Sequence, residues 1–224
     1  MLGISGSAMK AAESQPMLKV LLEIGGYEGH DMKACAALVK LKLEATGQFI
    51  VGITDDWEQF RKENVLKYDL VVSCICARDD IFTEEWEEGL SGFVGSGKGF
   101  VGLHGSTDSF WNSDVYWRIL GGRFTWHGQG THTVKITDSS HAIVKGMADF
   151  EVIDETYCHT FHPDSKVTIL ARRDCDSEPA AWVQDYGKGR VFCTSIGHDH
   201  QSWDVAGYQE LVTRACLWAA KRIS

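Results

Sequence analysis

The chain has no surplus of basic charge, no long apolar run and no paired-cysteine motif, and each absence removes a class of function. Its 22 Lys and Arg stand against 31 Asp and Glu, a formal net charge of -9. Binding a phosphate backbone requires clustered cations, so nucleic acid is not an expected partner. No stretch approaches the roughly 18 consecutive apolar residues of a membrane-spanning helix, so no membrane partner is expected. Residues 1–17 lack the basic start and apolar stretch of a secretory signal, which makes the cytoplasm the expected location. The seven cysteines include no C-x-x-C pair. Cys74, Cys76, Cys193 and Cys216 lie in apolar runs and read as reduced core thiols, not as a disulfide framework or a zinc cage. The loop Gly25 to Gly29 lacks G-x-G-x-x-G spacing and the Lys-Ser/Thr of a phosphate loop, so no nucleotide cofactor is expected. Internal repeats and low-complexity tracts are absent.

What is present is a chain of 224 residues, 44% hydrophobic, enough for one substantial core. Residues 1–17, rich in Gly, Ser, Ala, Lys and Glu, read as a flexible leader, and residues 18–224 as the domain. Strands are expected at 18–24, 49–53, 69–76 and 99–103. A helix over 31–46, a partly helical link over 57–68 and a helix beginning at 83–85 separate them. Strict alternation of this kind implies an α/β fold with a mostly parallel sheet and helices on both faces. After Trp111 the rhythm changes. Residues 116–120 read as helix, but 131–137, 150–153 and 166–171 are strand candidates without helices between them, an antiparallel extension. Residues 180–184 and 189–194 read as a hairpin, and 203–221 as a terminal amphipathic helix.

Three histidines follow strand-like runs. His104 comes after Gly99-Phe100-Val101-Gly102-Leu103 and before Gly105-Ser106-Thr107-Asp108, where the strand ends and a capped helical turn begins. His30 follows the first strand and His198 the run ending at Ile196. In open α/β sheets ligands bind at the carboxyl edge of the strands, so these three imidazoles are candidates for one cleft. Asp154-Glu155-Thr156-Tyr157 follows another strand. Neighbouring residues of an extended chain point oppositely, which makes Glu155, with Tyr157 on its side, the favoured member over Asp154. Trp126-His127-Gly128-Gln129-Gly130 reads as a glycine-rich loop whose aromatic and imidazole suit a sugar face. Trp111, Trp117 and Trp203 add aromatic surface, while His132, His159, His162 and His200 read as structural or solvent-facing.

Several short strings together resemble the ThuA-like (trehalose utilisation) family over residues 18–222. They are Gly102-Leu103-His104-Gly105, Leu120-Gly121-Gly122-Arg123-Phe124 with His127, Asp138 with His141-Ala142-Ile143, and Asp154-Glu155 with Tyr157. Pro179-Ala180-Ala181-Trp182, and Gly187-Lys188-Gly189-Arg190-Val191 leading to Gly197-His198, complete the set. Ala142 and Gly128 depart from the family pattern without removing a functional group. The resemblance implies a flavodoxin-like, class I glutamine amidotransferase-like fold and a role in carbohydrate metabolism.

Amidotransferases of that fold carry a cysteine nucleophile at the turn where this chain has His104. Imidazole forms no comparable acyl intermediate with an amide, so glutaminase activity is expected to be absent. The residues suit other chemistry. His30, His104 and His198 could ligate a divalent metal such as zinc, which polarises a sugar carbonyl or activates water. Alternatively His104 and His198, with Glu155, act directly as acid and base. In either case His127, Tyr157, Asp154 and Trp126 would contact a small-molecule carbohydrate. A sugar-binding or regulatory protein that has lost the reaction is the rival expectation, and self-association to a homo-oligomer stays open.

Overall fold

The computed structural model of the protein describes residues 16–224. The expected leader therefore lies outside the described residues except for Pro16 and Met17. Nine strands form one sheet in the order β2-β1-β3-β4-β9-β8-β7-β5-β6. β1 (Leu18–Gly26), β2 (Phe49–Thr54), β3 (Leu70–Cys76), β4 (Gly99–Leu103) and β9 (Gly189–Thr194) run parallel. β8 (Pro179–Tyr186), β7 (Thr168–Arg173), β5 (Gly122–Ile136) and β6 (Phe150–Phe161) continue from β9 in antiparallel pairings. The sheet is thus mixed, with half of its pairings antiparallel, which corrects the expectation of a mostly parallel one.

Burial explains why the parallel half was readable. β3 and β4 are buried at every residue, and such strands read as unbroken apolar runs. α1 (Met32–Ala45) and α6 (Ala206–Ala219) cover one face through Val39, Leu43, Leu211 and Ala215. α3 (Glu84–Gly95) and α4 (Asp114–Leu120) cover the other through Leu90, Phe93, Tyr116 and Ile119. Caps set the helix starts: Asp31 accepts the Ala34 N–H at 3.1 Å and Thr83 the Trp86 N–H at 3.3 Å. A short α2 (Lys62–Val65) lies between β2 and β3. The terminal helix is split into α5 (His200–Trp203) and α6.

The antiparallel half is longer than expected. The stretch read as a glycine-rich loop lies inside β5, paired from Trp126↔Cys158 to Gln129↔Glu155. β6 likewise carries His159, read as structural or solvent-facing. A two-stranded ribbon leaves residues partly wet on both sides, so it shows no clean alternation. Gly128 belongs there because a Cβ would meet Thr156 Oγ1 at 2.9 Å. Among the described residues no helix is long and apolar enough to cross a membrane. All seven cysteines are free thiols, with Cys175 exposed and Cys158 half-buried.

Candidate functional site

The order β2-β1-β3-β4 places a reversal of direction between β1 and β3, the position where adjacent loops of a doubly wound sheet diverge and leave a crevice. His30 lies in the loop after β1, His104 immediately after β4, and His198 four residues after β9. Glu155 enters from the middle of β6. Its Oε2 is 3.2 Å from His198 Nδ1, 3.3 Å from His104 Nε2 and 3.9 Å from His30 Nε2. His127 Nδ1 lies 3.5 Å from the other oxygen, Oε1. One ligand atom from each of His30, His104, Glu155 and His198 falls within 4.8 Å of the rest. A cavity of about 610 Å³ opens above, with His30, His127, Glu155 and Tyr157 in its lining.

His104 is held firmly. It adopts φ +44°, a left-handed conformation that costs a non-glycine residue energy. Gly105 allows the following turn to press on β3, since a Cβ there would lie 2.5 Å from Cys76 Cβ. Thr107 donates its hydroxyl to the His104 carbonyl at 3.0 Å, and Tyr157 stacks on the ring with centroids 4.1 Å apart. The Nδ1 of His104 sits 2.7 Å from the Ser195 carbonyl, which only accepts, so this partner assigns the proton to Nδ1. With Nδ1 so committed, it is Nε2 that faces the carboxylate oxygen. Neither His104 Nε2 nor His198 Nδ1 makes a hydrogen bond of good geometry with any described residue.

Charge follows the same layout. Burial, reinforced by the neighbouring His104 and His198, lowers His30 to about 3, so it is neutral at ordinary pH. Burial works to raise the Glu155 carboxyl, but the facing His104 and His198 outweigh it and hold it well below the usual carboxylate range. The Glu155 carboxylate pushes His198 up. The set therefore offers one carboxylate and several imidazole nitrogens with lone pairs or protons to share.

The remaining candidates divide. Trp126 is 61% exposed at the ribbon surface, and Trp203 is buried with its Nε1–H given to the Gly197 carbonyl at 2.9 Å. Asp154 is buried and turned from the cavity. Its carboxylate accepts three backbone N–H groups, from Gly197 at 2.7 Å, Glu155 at 2.7 Å and His198 at 3.3 Å. That contact ties the strand bearing Glu155 to the loop bearing His198. His132 and His162 are buried, His132 beside the Gly130 carbonyl of its own strand and His162 with Nε2 3.2 Å from the Asp114 carboxylate on α4. His159 Nε2 lies 3.1 Å from Thr107 Oγ1, behind His104. Sequence reasoning missed Thr107 and His159, and it also missed Arg78 and Asp108 on the cavity wall. Arg78 follows β3 at the same sheet edge as the histidines, the positional signal that could have found it.

Fold and edge crevice together define an open α/β protein with its cleft at the carboxyl ends of the parallel strands. The ThuA family model, described as trehalose utilisation, matches residues 19–219, and the chain belongs to that family. A ThuA-like protein of Parabacteroides merdae superposes with a TM-score of 0.79 at 24% identity, covering 93% of this chain and 91% of that one. One from Bacteroides uniformis gives 0.76 at 19% identity, covering 96% and 95%. A cold-adapted β-galactosidase from Rahnella gives 0.61 at 20% identity, covering 89% of this chain but 31% of that one. At these identities the likeness is one of fold alone. No curated protein matches the chain.

Proposed function

We propose that the protein acts on a sugar or keto-sugar through a divalent-metal centre held by His30, His104, His198 and Glu155. Membership of a trehalose-utilisation family supports the carbohydrate class. The observation that carries the metal is the buried Nε2 of His104, 3.3 Å from Glu155 Oε2 with no hydrogen bond of good geometry between them. An imidazole nitrogen and a carboxylate oxygen buried at that separation call for a cation or a shared proton between them. Imidazoles with one carboxylate form a donor set suited to zinc or a related ion. Such an ion, when bound, polarises a sugar carbonyl or lowers the pKa of water.

The chain's own groups do the rest. Ser195 fixes the His104 tautomer, and Asp154 fixes the loop of His198 relative to Glu155. His127, with its side chain 44% exposed, stands at the mouth beside Glu155 Oε1 and is placed to hydrogen-bond sugar hydroxyls or move a proton. A metal-free alternative draws on the His198–Glu155 pair, where a proton retained on His198 makes it an acid toward a bound sugar. With no cysteine at the elbow, glutaminase activity is excluded from the proposal.

Calorimetric titration of chelator-treated protein with Zn²⁺ and Mn²⁺ tests the centre. A single equivalent should bind, and affinity should fall about 100-fold or more in His104→Ala and Glu155→Gln. Absence of binding, or binding that survives both changes, removes the metal centre. Turnover of a keto-sugar by the chelated protein would establish the acid–base alternative.

A further inference from the structure

The cavity wall formed just after β3 carries an arginine that the proposed metal chemistry leaves unused. Arg78 is held by an ion pair and two aromatic rings. Its Nε and Nη2 donate to Asp108 Oδ1 and Oδ2 at 2.8 and 2.9 Å, and Trp111 Nε1 donates to the same Oδ1 at 3.1 Å. The guanidinium carbon lies 4.7 Å from the Trp111 ring centroid and 5.3 Å from that of Phe124. Backbone bonds pin the segment as well: Phe110 N–H donates to the Ala77 carbonyl at 2.8 Å and Trp111 N–H to the Arg78 carbonyl at 3.2 Å. Phe110, with φ +51°, makes that turn at a conformational cost.

A guanidinium carries five N–H donors, and Asp108 uses two. No described residue takes the others, and the side chain stays 43% exposed while lining the cavity. Preorganised donors cost little entropy when a ligand arrives, which is what a recognition arm requires.

The sign of the wall decides what it recognises. Asp108 already neutralises Arg78 and occupies its side-on fork, one of the two edges that can grip a carboxylate or phosphate in two parallel bonds. Asp79 and Asp80 follow it in the lining, and Glu155 lines the same cavity. An incoming anion would meet acidic groups without an uncompensated cation. A hydroxyl meets both partners it needs, because it accepts from the free guanidinium N–H groups and donates to the carboxylates.

We propose that the Arg78–Asp108 wall is a binding subsite for an uncharged, hydroxylated sugar ring, and that it discriminates against sugar phosphates and sugar acids. The proposal rests on the carbohydrate reading above but not on the metal. Phe124 and Tyr157, also in the lining, supply apolar faces for the ring's C–H surface.

The test is calorimetry and saturation-transfer NMR on the full chain, with trehalose and glucose as neutral probes and trehalose 6-phosphate and glucuronate as charged ones. Neutral probes should bind at least about tenfold more tightly than their charged partners. Arg78→Met, which keeps the stem, should weaken the neutral probes about tenfold or more while Zn²⁺ uptake holds. Asp108→Asn leaves the Arg78 charge uncompensated, so glucuronate and the phosphate should gain affinity whether or not the first variant folds. Charged probes binding as tightly as neutral ones, or no change in either variant, overturns the subsite alone. Failure of every sugar to bind the wild-type chain overturns the carbohydrate reading with it, whereas sugar binding without Zn²⁺ uptake overturns the metal and leaves the subsite standing.

Discussion

The two halves of the sheet treat a buried charge in opposite ways. In the parallel half Glu23, on β1 between Thr54 and Ser73, is fully buried and neither carboxyl oxygen has a partner among the described residues. Burial, with Asp55 and Asp56 adding to it, raises its pKa from 4.5 to about 9, so the group is held neutral. In the antiparallel half Arg173 on β7 is 1% exposed yet stays charged, because its donors are taken up. It gives Nη1 to the Tyr157 carbonyl at 2.6 Å, and Nε and Nη2 to Asp176 at 3.1 and 2.8 Å. A strand walled in on both faces admits an acid only by discharging it, whereas a ribbon with an open flank can bring a counter-charge to a permanent cation.

That contrast breaks most visibly at Arg173. Arg173→Met removes the cation, leaves Asp176 without its partner and frees the Tyr157 carbonyl on the strand that carries Glu155. The Asp176 side chain is 36% exposed and water can reach it, so the cost falls on the stranded Tyr157 carbonyl and the lost charged hydrogen bonds, and denaturant unfolding should show a loss of about 3–4 kcal/mol. A loss under about 1 kcal/mol would mean that the pairing does not hold the ribbon.

Glu23→Gln sharpens the other side. The unfolded carboxyl ionises near 4.5 while the folded one keeps its proton to about 9, so the folded state binds more protons throughout that interval. Stability therefore falls as pH rises through the window, at about 1.4 kcal/mol per unit. The amide carries no such burden. The variant's advantage over wild type should grow by on the order of 3 kcal/mol between about pH 5 and pH 7. Taking the difference of their melting curves removes every other titrating group, and an advantage that does not change with pH would show that Glu23 is ionised in the fold.

The same division governs how much was legible in the chain. His30, His104 and His198 stand at ends of strands whose apolar runs and flanking turns mark them, so their convergence follows from strand order. Glu155 was reachable because extended residues alternate sides. Trp126 to Gly130 was not readable as strand, since two glycines and mixed exposure imitate a loop when the pairing partner lies some thirty residues away. Thr107, His159 and Asp154 act through hydrogen bonds across distant segments, and no local periodicity reports these. The family resemblance, carried by short strings, was firm where periodicity was weakest.

Asp154 links the two halves, and its effect should be intermediate. Asp154→Ala strands three backbone N–H groups, two of them on the loop of His198. Water can reach part of that loop, so about 2 kcal/mol of stability should be lost. Zn²⁺ affinity should also fall, by about tenfold to 100-fold, because the imidazole is no longer aimed. A stability loss with unchanged Zn²⁺ affinity would make Asp154 a structural group only.

The smallest effect should come from Thr107, buried behind His104 with its hydroxyl bonded on two sides. It donates to the His104 carbonyl, so toward His159 it must accept, and this places a proton on His159 Nε2. Burial, with Arg173 and His104 nearby, lowers His159 to about 3, consistent with a neutral ring that donates from that one nitrogen. Thr107→Val keeps shape and volume while deleting the hydroxyl, so packing terms drop out and about 1 kcal/mol of stability should be lost. The more telling readout is Zn²⁺ affinity, expected to fall a few-fold as the left-handed His104 relaxes, with Thr107→Ser restoring it. Zn²⁺ affinity unchanged in the valine variant but reduced in the serine one would place the constraint on His104 in the methyl contact, and the hydroxyl bridge between the two halves would then have no role in aiming its ring.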